Sequence, residues 1–454
     1  MLFFWFRRDL RIEDNAGLYH ALRSGHRVLP VFIFDAHILD ELRDRTDARV
    51  NFIYETIAGL KAALEKLGST LLVFYGTPEA VWSSLISRYP NARGIYTNRD
   101  YEPYALQRDE LVQQLTKDHN MVWRSFKDHV IFEKDEVLKD NGTPYTVFTP
   151  YSRKWLARLA SRPASPALLH GTDGLPASFY CASYPVLRYA DAFFKTAPAP
   201  LPALHDIGFS ASSLRIPSAE VARKIVENYD KTRDFPALSG TTRLGIHFRF
   251  GTISVRQKAR RAQRLNATYL NELIWRDFYS QILAHFPHVA HRAFRPEYDR
   301  ILWRDAPEDF EKWTQGHTGY PLVDAGMREL KATGYMHNRV RMVTASFLSK
   351  HLLLDWRLGE AWFAEHLLDY DLASNSGGWQ WAAGCGTDAA PYFRIFNPTE
   401  QAKKFDPRWQ YIRHWVPEVD TPQYPSPLVD HAFARNRCLE VYRRALAQDT
   451  DVAA

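Results

Sequence analysis

Cysteine is nearly missing from this chain: three in 454 residues, Cys181, Cys385 and Cys438, far apart and never in CxxC spacing. That excludes a disulfide framework and a zinc ribbon or finger. Long apolar runs are missing too. Val31-Phe32-Ile33-Phe34 is typical of the longest, far below the ~20 residues a spanning helix needs. The opening MLFFWF precedes Arg7-Arg8-Asp9, the reverse of a secretory leader's basic-then-apolar order. The expectation is a soluble, cytoplasmic protein. No GxGxxG follows the first strand-like run, so an NAD fingerprint is lacking. No GxSxG elbow is present, which argues against a serine hydrolase.

What the chain does contain is length and flat rings. At 454 residues, 46% hydrophobic and 24% charged, it is too long for one ordinary core, and two domains are expected. Aromatics reach 14%, with 13 Trp and 23 Tyr, more π surface than packing usually asks for, so a planar ligand becomes worth testing. The formal charge of +6 suits a polyanionic partner.

From Leu2 to Trp123, short β-branched and aromatic runs (LFFWF, VLPVFIF, TLLVFY, GIYTN, MVWRSF) alternate with helical-period stretches near 15–24, 47–66, 77–88 and 103–117. That rhythm predicts an α/β domain built on a parallel sheet with helices on both faces. Between 130 and 205 the pattern dissolves among Pro163, Pro166, Pro176, Pro185, Pro198, Pro200 and Pro202, which reads as a long connector. Beyond it, 217–229, 254–263, 267–284, 322–332, 338–353, 358–367 and 435–447 carry helical periodicity. The expected layout is an α/β domain over 1–130, a linker over 131–204 and an all-helical domain over 205–454.

Four segments carry candidate chemistry. Gly240-Thr241-Thr242-Arg243-Leu244-Gly245 is a hydroxyl-rich, flexible turn of the kind that cradles phosphate, although for the hexapeptide alone a solvated turn capping a helix is the favoured reading. The run 369–398 packs Asp369, Asp371, Asn375, Gln380 and Asp388 around Trp379 and Trp381, more polar groups than an apolar core can use. In MHNRVRM (336–342), Asn338 and Met342 share a helix face while Arg339 and Arg341 point elsewhere, a combination suited to a base and its phosphates. In NELIWRDFY, Glu272 sits three residues before Trp275, as a desolvated acid might. His285, His288 and His291 recur every third residue, but Pro287 breaks the helix that would align them, and no metal site is expected.

In order along the chain, WFRRDLRIEDN (5–15), RDFPALSGTTRL (233–244), ELIWRDFY (272–279), TGYPLVDAGMREL (318–330), MHNRVRM and the glycine-tryptophan run closely resemble the photolyase and cryptochrome family. Within it they resemble the class I cyclobutane pyrimidine dimer (CPD) photolyases. The resemblance covers nearly the whole chain. It implies a Rossmann-like antenna-type α/β domain, a linker and an all-α domain holding FAD, active as FADH⁻. The reaction it implies is light-driven electron transfer to a pyrimidine dimer flipped out of UV-damaged DNA, followed by ring splitting and return of the electron.

By the same resemblance, Tyr229, Thr241, Thr242, Arg243 and Leu244 belong to the FAD phosphate loop. Gly245 departs from the Ser common among relatives, losing one hydroxyl contact but keeping the backbone N–H. Arg341 and Asp369 correspond to an ion pair beside the isoalloxazine, Asp371 to an acceptor at its polar edge and Asn375 to the residue facing N5. Glu272, Trp275, Asn338, Met342 and Trp381 line the dimer pocket. Arg233, Arg339 and Arg394 are assigned to DNA phosphates, with Lys403 and Lys404 as weaker additions. Trp379, Trp356 and Trp303 correspond to the electron-hopping chain. Ala105 and Ala290 stand where folate users carry Glu and Lys, which argues against a folate antenna and leaves the identity of any second chromophore open. The family implies a monomer without a membrane anchor. Its rival readings are a (6-4) photolyase, whose pocket uses paired histidines, and a cryptochrome-type receptor.

Overall fold

A computed structural model describes residues 1–161 and 179–447. Pro163, Pro166 and Pro176 lie outside the described residues. The chain divides into two compact units, each assembled from several segments: Met1–Val137, Arg153–Glu220 and Leu244–Arg264 form one, and Leu138–Ser152, Val221–Arg243 and Leu265–Ala454 the other.

In the first unit, strands β1 (Leu2–Phe6), β2 (Val28–Asp35), β3 (Leu72–Gly76), β4 (Gly94–Asn98) and β5 (Val122–Phe126) form one sheet in the order β3-β2-β1-β4-β5. Every pairing is parallel, with Leu2 opposite Val28 and Phe3 opposite Ile95. Helices α1 (Ala16–Leu22), α2 (Ala48–Lys66), α3 (Pro78–Arg88) and α4 (Pro103–Asp118) alternate with the strands. Side chains of β1 alternate between two buried faces, as a strand's period of two demands. Leu2, Phe4 and Phe6 pack with Leu18, Ile57 and Leu64 of α1 and α2, whereas Phe3 and Trp5 pack with Trp82, Leu85 and Val112 of α3 and α4. The helices begin where their caps are. Asn15 Oδ1 accepts from the Leu18 amide at 3.1 Å, Asp47 from that of Arg49 at 2.8 Å, and Pro103 opens α4.

The motif 5–15 is structural glue of this unit. Arg11 donates to Asp128 at 2.7 Å, and Arg256 Nη2 donates to the other oxygen of the same carboxylate at 2.7 Å while its Nε reaches Asp14 at 2.9 Å. The paired arginines hold the buried Asp128 carboxyl down at about 2.

Two features differ from the sequence reading. The stretch read as connector contains helix α5 (Phe148–Ala160), whose Phe148, Tyr151, Trp155 and Leu159 are buried. This 3-4-4 spacing is a helical stripe that the surrounding prolines mask. The helix expected over 217–229 shortens to Arg223–Glu227 and a further turn, Tyr229–Thr232.

The second unit is helical around one large apolar core that includes Trp313, Met327, Leu348, Phe363 and Tyr442. None of the described helices is long and apolar enough to cross a membrane.

Candidate active site

Three helices of the second unit carry most of the candidate residues: α6 (Ala267–His285), α7 (Asn338–Ser346) and α8 (Leu372–Ala383). Each starts at a side-chain cap: Asn266 accepts from the Tyr269 amide at 3.1 Å, His337 Nδ1 from that of Arg339 at 3.2 Å, and Asp371 from that of Ser374 at 3.2 Å. Helix α8 packs against both others. Its Gly377 lies on the Tyr279 ring of α6 so closely that an added methyl would collide with ring carbons. Only glycine permits that approach.

Two adjacent loop residues fasten α6 and α7. Arg233 pairs with Glu272 of α6, and Asp234 accepts from Arg339 of α7 at 2.7 Å. The structure therefore brings the Glu272 and Asn338 elements to one segment, 233–234. Glu272 is half-buried, and burial pushes its carboxyl above the usual range while the Arg233 guanidinium opposes the shift. Arg339 also lies 4.2 Å over the Phe405 ring. Two of the three arginines assigned to DNA phosphates are thus engaged by carboxylates in the free protein. Arg394 is exposed beside Phe396, Lys403 pairs with Glu400 at 2.8 Å, and Lys404 lies over Phe405.

Trp275 is half-buried, with one face covered by Phe148 at 3.6 Å between ring centres and 3° between planes. A base can stack on Trp275 only from its opposite face or by displacing Phe148. Sequence reasoning missed Phe148 because it lies in the supposed connector. Asn338 is exposed at the start of α7, and Met342, one turn on, is half-buried. Trp381 is half-buried and tilted against Phe396, whereas Trp379 on the same helix is buried, the divergence expected of residues two apart on a helix.

The residues assigned to the flavin form a second group. Arg341 Nη2 contacts both Asp369 oxygens, at 3.1 and 3.0 Å, and its Nε donates to the Met336 carbonyl at 2.7 Å. The pair and its backbone bond fix the guanidinium plane, and the Asp369 charge raises the Arg341 pKa against burial. Thr241 Oγ1 bonds the Tyr335 hydroxyl at 3.1 Å. Arg243 adopts a left-handed backbone, φ 51°, with its guanidinium 4.5 Å over the Tyr335 ring. Thr242 is half-buried beside it, and Tyr229 packs edge-on against Tyr269 at 5.2 Å. Leu244, buried, and Gly245, which opens a five-residue helix, follow in the chain but belong to the first unit. Asp371 spends one oxygen on the α8 cap. Asn375 Nδ2 donates to the Glu360 side chain at 2.8 Å and to its carbonyl at 3.1 Å. Glu360 and Tyr335 fix the orientation of two assigned residues, yet no local motif marks them.

These donors fit a flavin dinucleotide. On α8, Asn375, Gly378 and Trp379 share a face at i, i+3 and i+4. Nothing fills the space beside Gly378, and the buried Trp379 Nε1 lacks an acceptor among the described residues. Open space at Gly378, the Arg341–Asp369 ion pair and the hydroxyl loop together suit a flat, diphosphate-bearing ligand.

Trp379 packs edge-on against Phe363 and Trp313, at 5.0 and 6.1 Å, and its ring abuts Gly359 on the helix Trp356–His366. Trp356 is buried at the head of that helix, and Trp303 packs against Tyr442 at 6.1 Å. Trp313 and Tyr442, absent from the sequence reading, are therefore part of the aromatic surroundings.

Residues 2–169 match the family model described as DNA photolyase, and residues 269–422 match the FAD binding domain of DNA photolyase. A relative from Escherichia coli, named deoxyribodipyrimidine photo-lyase, is 38% identical over 97% of this chain and 98% of its own. A bacterial class III photolyase from Agrobacterium tumefaciens superposes with a TM-score of 0.81 at 32% identity, covering 98% and 97% of the two chains. An archaeal photolyase from Sulfolobus tokodaii, solved with two FAD molecules, gives 0.76 at 33% identity, covering 98% and 99%. Fold and site together define a two-unit flavoprotein, a parallel α/β unit joined to a helical FAD-binding unit. The chain belongs to the DNA photolyase family.

Proposed function

We propose that this protein is a deoxyribodipyrimidine photo-lyase of the class I CPD type, a monomer that uses light and FAD to split pyrimidine dimers in UV-damaged DNA. The observation that carries the reading is the shared anchoring of Glu272 and the Asn338 helix on Arg233-Asp234, with α8, which bears Asn375 and Trp379, packed against both helices. Held by these helices, FAD in its reduced form would supply the photoexcited electron, and the protein its placement.

Arg341 and Asp369 position the flavin, Thr241, Thr242 and Arg243 meet its phosphates, and Asn375, oriented by Glu360, faces the ring. Trp381 and the open face of Trp275 receive the flipped bases, a contribution of about 1–3 kcal/mol per stacked base. Asn338 and Met342 line the dimer. Glu272 has the chemistry of a switchable donor. With Arg233 beside it the carboxylate is favoured; once a DNA phosphate draws Arg233 away, burial raises its pKa further. The protonated acid then donates to a base carbonyl where negative charge develops. Arg339 and Arg394 contact the flanking phosphates. Trp379, Trp356 and Trp303 would relay an electron from an external reductant to an oxidised flavin. Ala105 lies buried in α4 and Ala290 closes the 3₁₀ turn Pro287–Ala290; neither side chain can bond a folate, and the site for a second chromophore is left open to a deazaflavin, a second flavin or none. The organisation proposed is an antenna region over 1–130, a linker over 131–204 and a catalytic region over 205–454, in a cytoplasmic protein.

The test is purified, reduced protein under blue light with oligonucleotides carrying either a cyclobutane dimer or a (6-4) product. Loss of the cyclobutane dimer alone supports the reading. Loss of the (6-4) product, or of neither lesion, replaces it with the other enzyme or with a receptor.

A further inference from the structure

On the first unit lies a cavity of about 450 Å³ between the end of α1 and the edge strand β5, lined by none of the residues assigned above. Its lining holds Arg23, Arg93, Arg124, His20 and His26 and no carboxylate. Among the described residues, none of the three arginines makes an ion pair. Arg23 donates to the Tyr19 hydroxyl at 2.9 Å, and Arg124 lies 5.8 Å over Tyr96. Concentrating like charges around a concavity costs free energy unless an anion compensates them, and it focuses a positive potential inward. Burial together with Arg23 and Arg124 lowers the His20 pKa, the response expected of a ring inside that potential. The floor is aromatic: His20 stacks on Phe126 at 4.6 Å and 11°, next to the buried Tyr96. Guanidinium forks recognise phosphate oxygens, and flat rings accept a base. The volume lies within the range of small-molecule sites and is too small for a duplex.

We propose that this cavity binds a nucleoside polyphosphate, its phosphates on Arg23, Arg93 and Arg124 and its base against the His20–Phe126 platform. The site is independent of dimer repair.

The experiment titrates flavin-loaded protein with ATP, inorganic pyrophosphate and adenosine by calorimetry, for the wild type and for R93E/R124E. Both arginines are exposed, so a folded variant is expected, checked by its flavin content and unchanged repair rate. R93Q/R124Q provides a milder second variant. The expected result is saturable ATP binding that weakens roughly tenfold or more in R93E/R124E, less in the glutamine variant, with pyrophosphate weaker than ATP. ATP binding unaffected by either variant, no saturable binding at millimolar ATP, or displacement of ATP by lesion-free duplex at equal phosphate concentration overturns the proposal. Pyrophosphate binding as tightly as ATP overturns the nucleoside part and assigns the cavity to free polyphosphate.

Discussion

Glu272 and Arg233 show how one pair of side chains serves two states. The pair neutralises a half-buried acid, and in the proposed function the same arginine would meet a competing DNA phosphate. Arg233→Met removes the counter-ion, so the Glu272 pKa rises and its protonated form persists to higher pH. Repair at subsaturating DNA, whose pH profile reports the free protein, should show its alkaline limb displaced upward in this variant, and an unmoved limb would count against Glu272 as the donor. His337 offers a cleaner stability measurement. Burial and Arg341 depress its pKa from 6.5 to about 4. Because the folded pKa is the lower one, stability is full above pH 6.5 and falls as the unfolded chain takes up a proton between 6.5 and about 4, by on the order of 3 kcal/mol. His337→Asn keeps a capping acceptor and removes the titration, so denaturant midpoints of the variant should decline less than those of the wild type across that window.

At the scale of elements, caps and functional groups coincide. Asp371 holds the first turn of α8 and is also the proposed flavin acceptor, and two substitutions separate these duties. Asp371→Asn retains a capping oxygen and should leave thermal stability nearly unchanged while reducing FAD retained on gel filtration. Asp371→Ala should lose flavin and also about 1 kcal/mol of stability. Equal flavin retention in both variants and the wild type would confine Asp371 to the cap. The close seat of α8 on α6 yields a packing prediction. Gly377→Ala drives a methyl into the Tyr279 ring, costing about 1–3 kcal/mol and shifting the helix that carries Asn375 and Trp379. The expected readout is a lowered Tm together with weakened flavin binding. Elements with strong period and caps, such as α2 and α3, were legible in sequence within a residue or so. Helix α5 was not, because its four buried apolar residues sit in a stretch whose prolines dominate any local reading.

Across the whole molecule, two different devices hold the units together internally. The helical unit relies on one continuous apolar core, while the α/β unit adds a buried network in which Asp128 joins Arg11 and Arg256. Asp128→Asn takes the counter-ion from the buried Arg11 and leaves Arg256 with Asp14 alone, and a loss of about 3–5 kcal/mol is expected at neutral pH. The folded pKa of Asp128 lies below its ordinary 3.8, near 2, so its contribution is complete above 3.8 and disappears as pH falls through 2. The gap between wild type and variant in chemical denaturation should therefore close only in strong acid.

The order of residue types along the chain was enough to determine the parallel sheet, the helical second half and the family, because strand and helix periods and long linear motifs are local properties. Tertiary structure alone decided that Phe148 covers Trp275, that Arg233 and Arg339 rest on carboxylates, and that Glu360 and Tyr335 hold Asn375 and Thr241. It also decided that three arginines without an ion pair among the described residues, together with His20 and His26, surround one cavity. Each of these joins groups distant in sequence, and the energy that brings them together comes from burial of the surrounding core, which leaves no periodic trace in the chain.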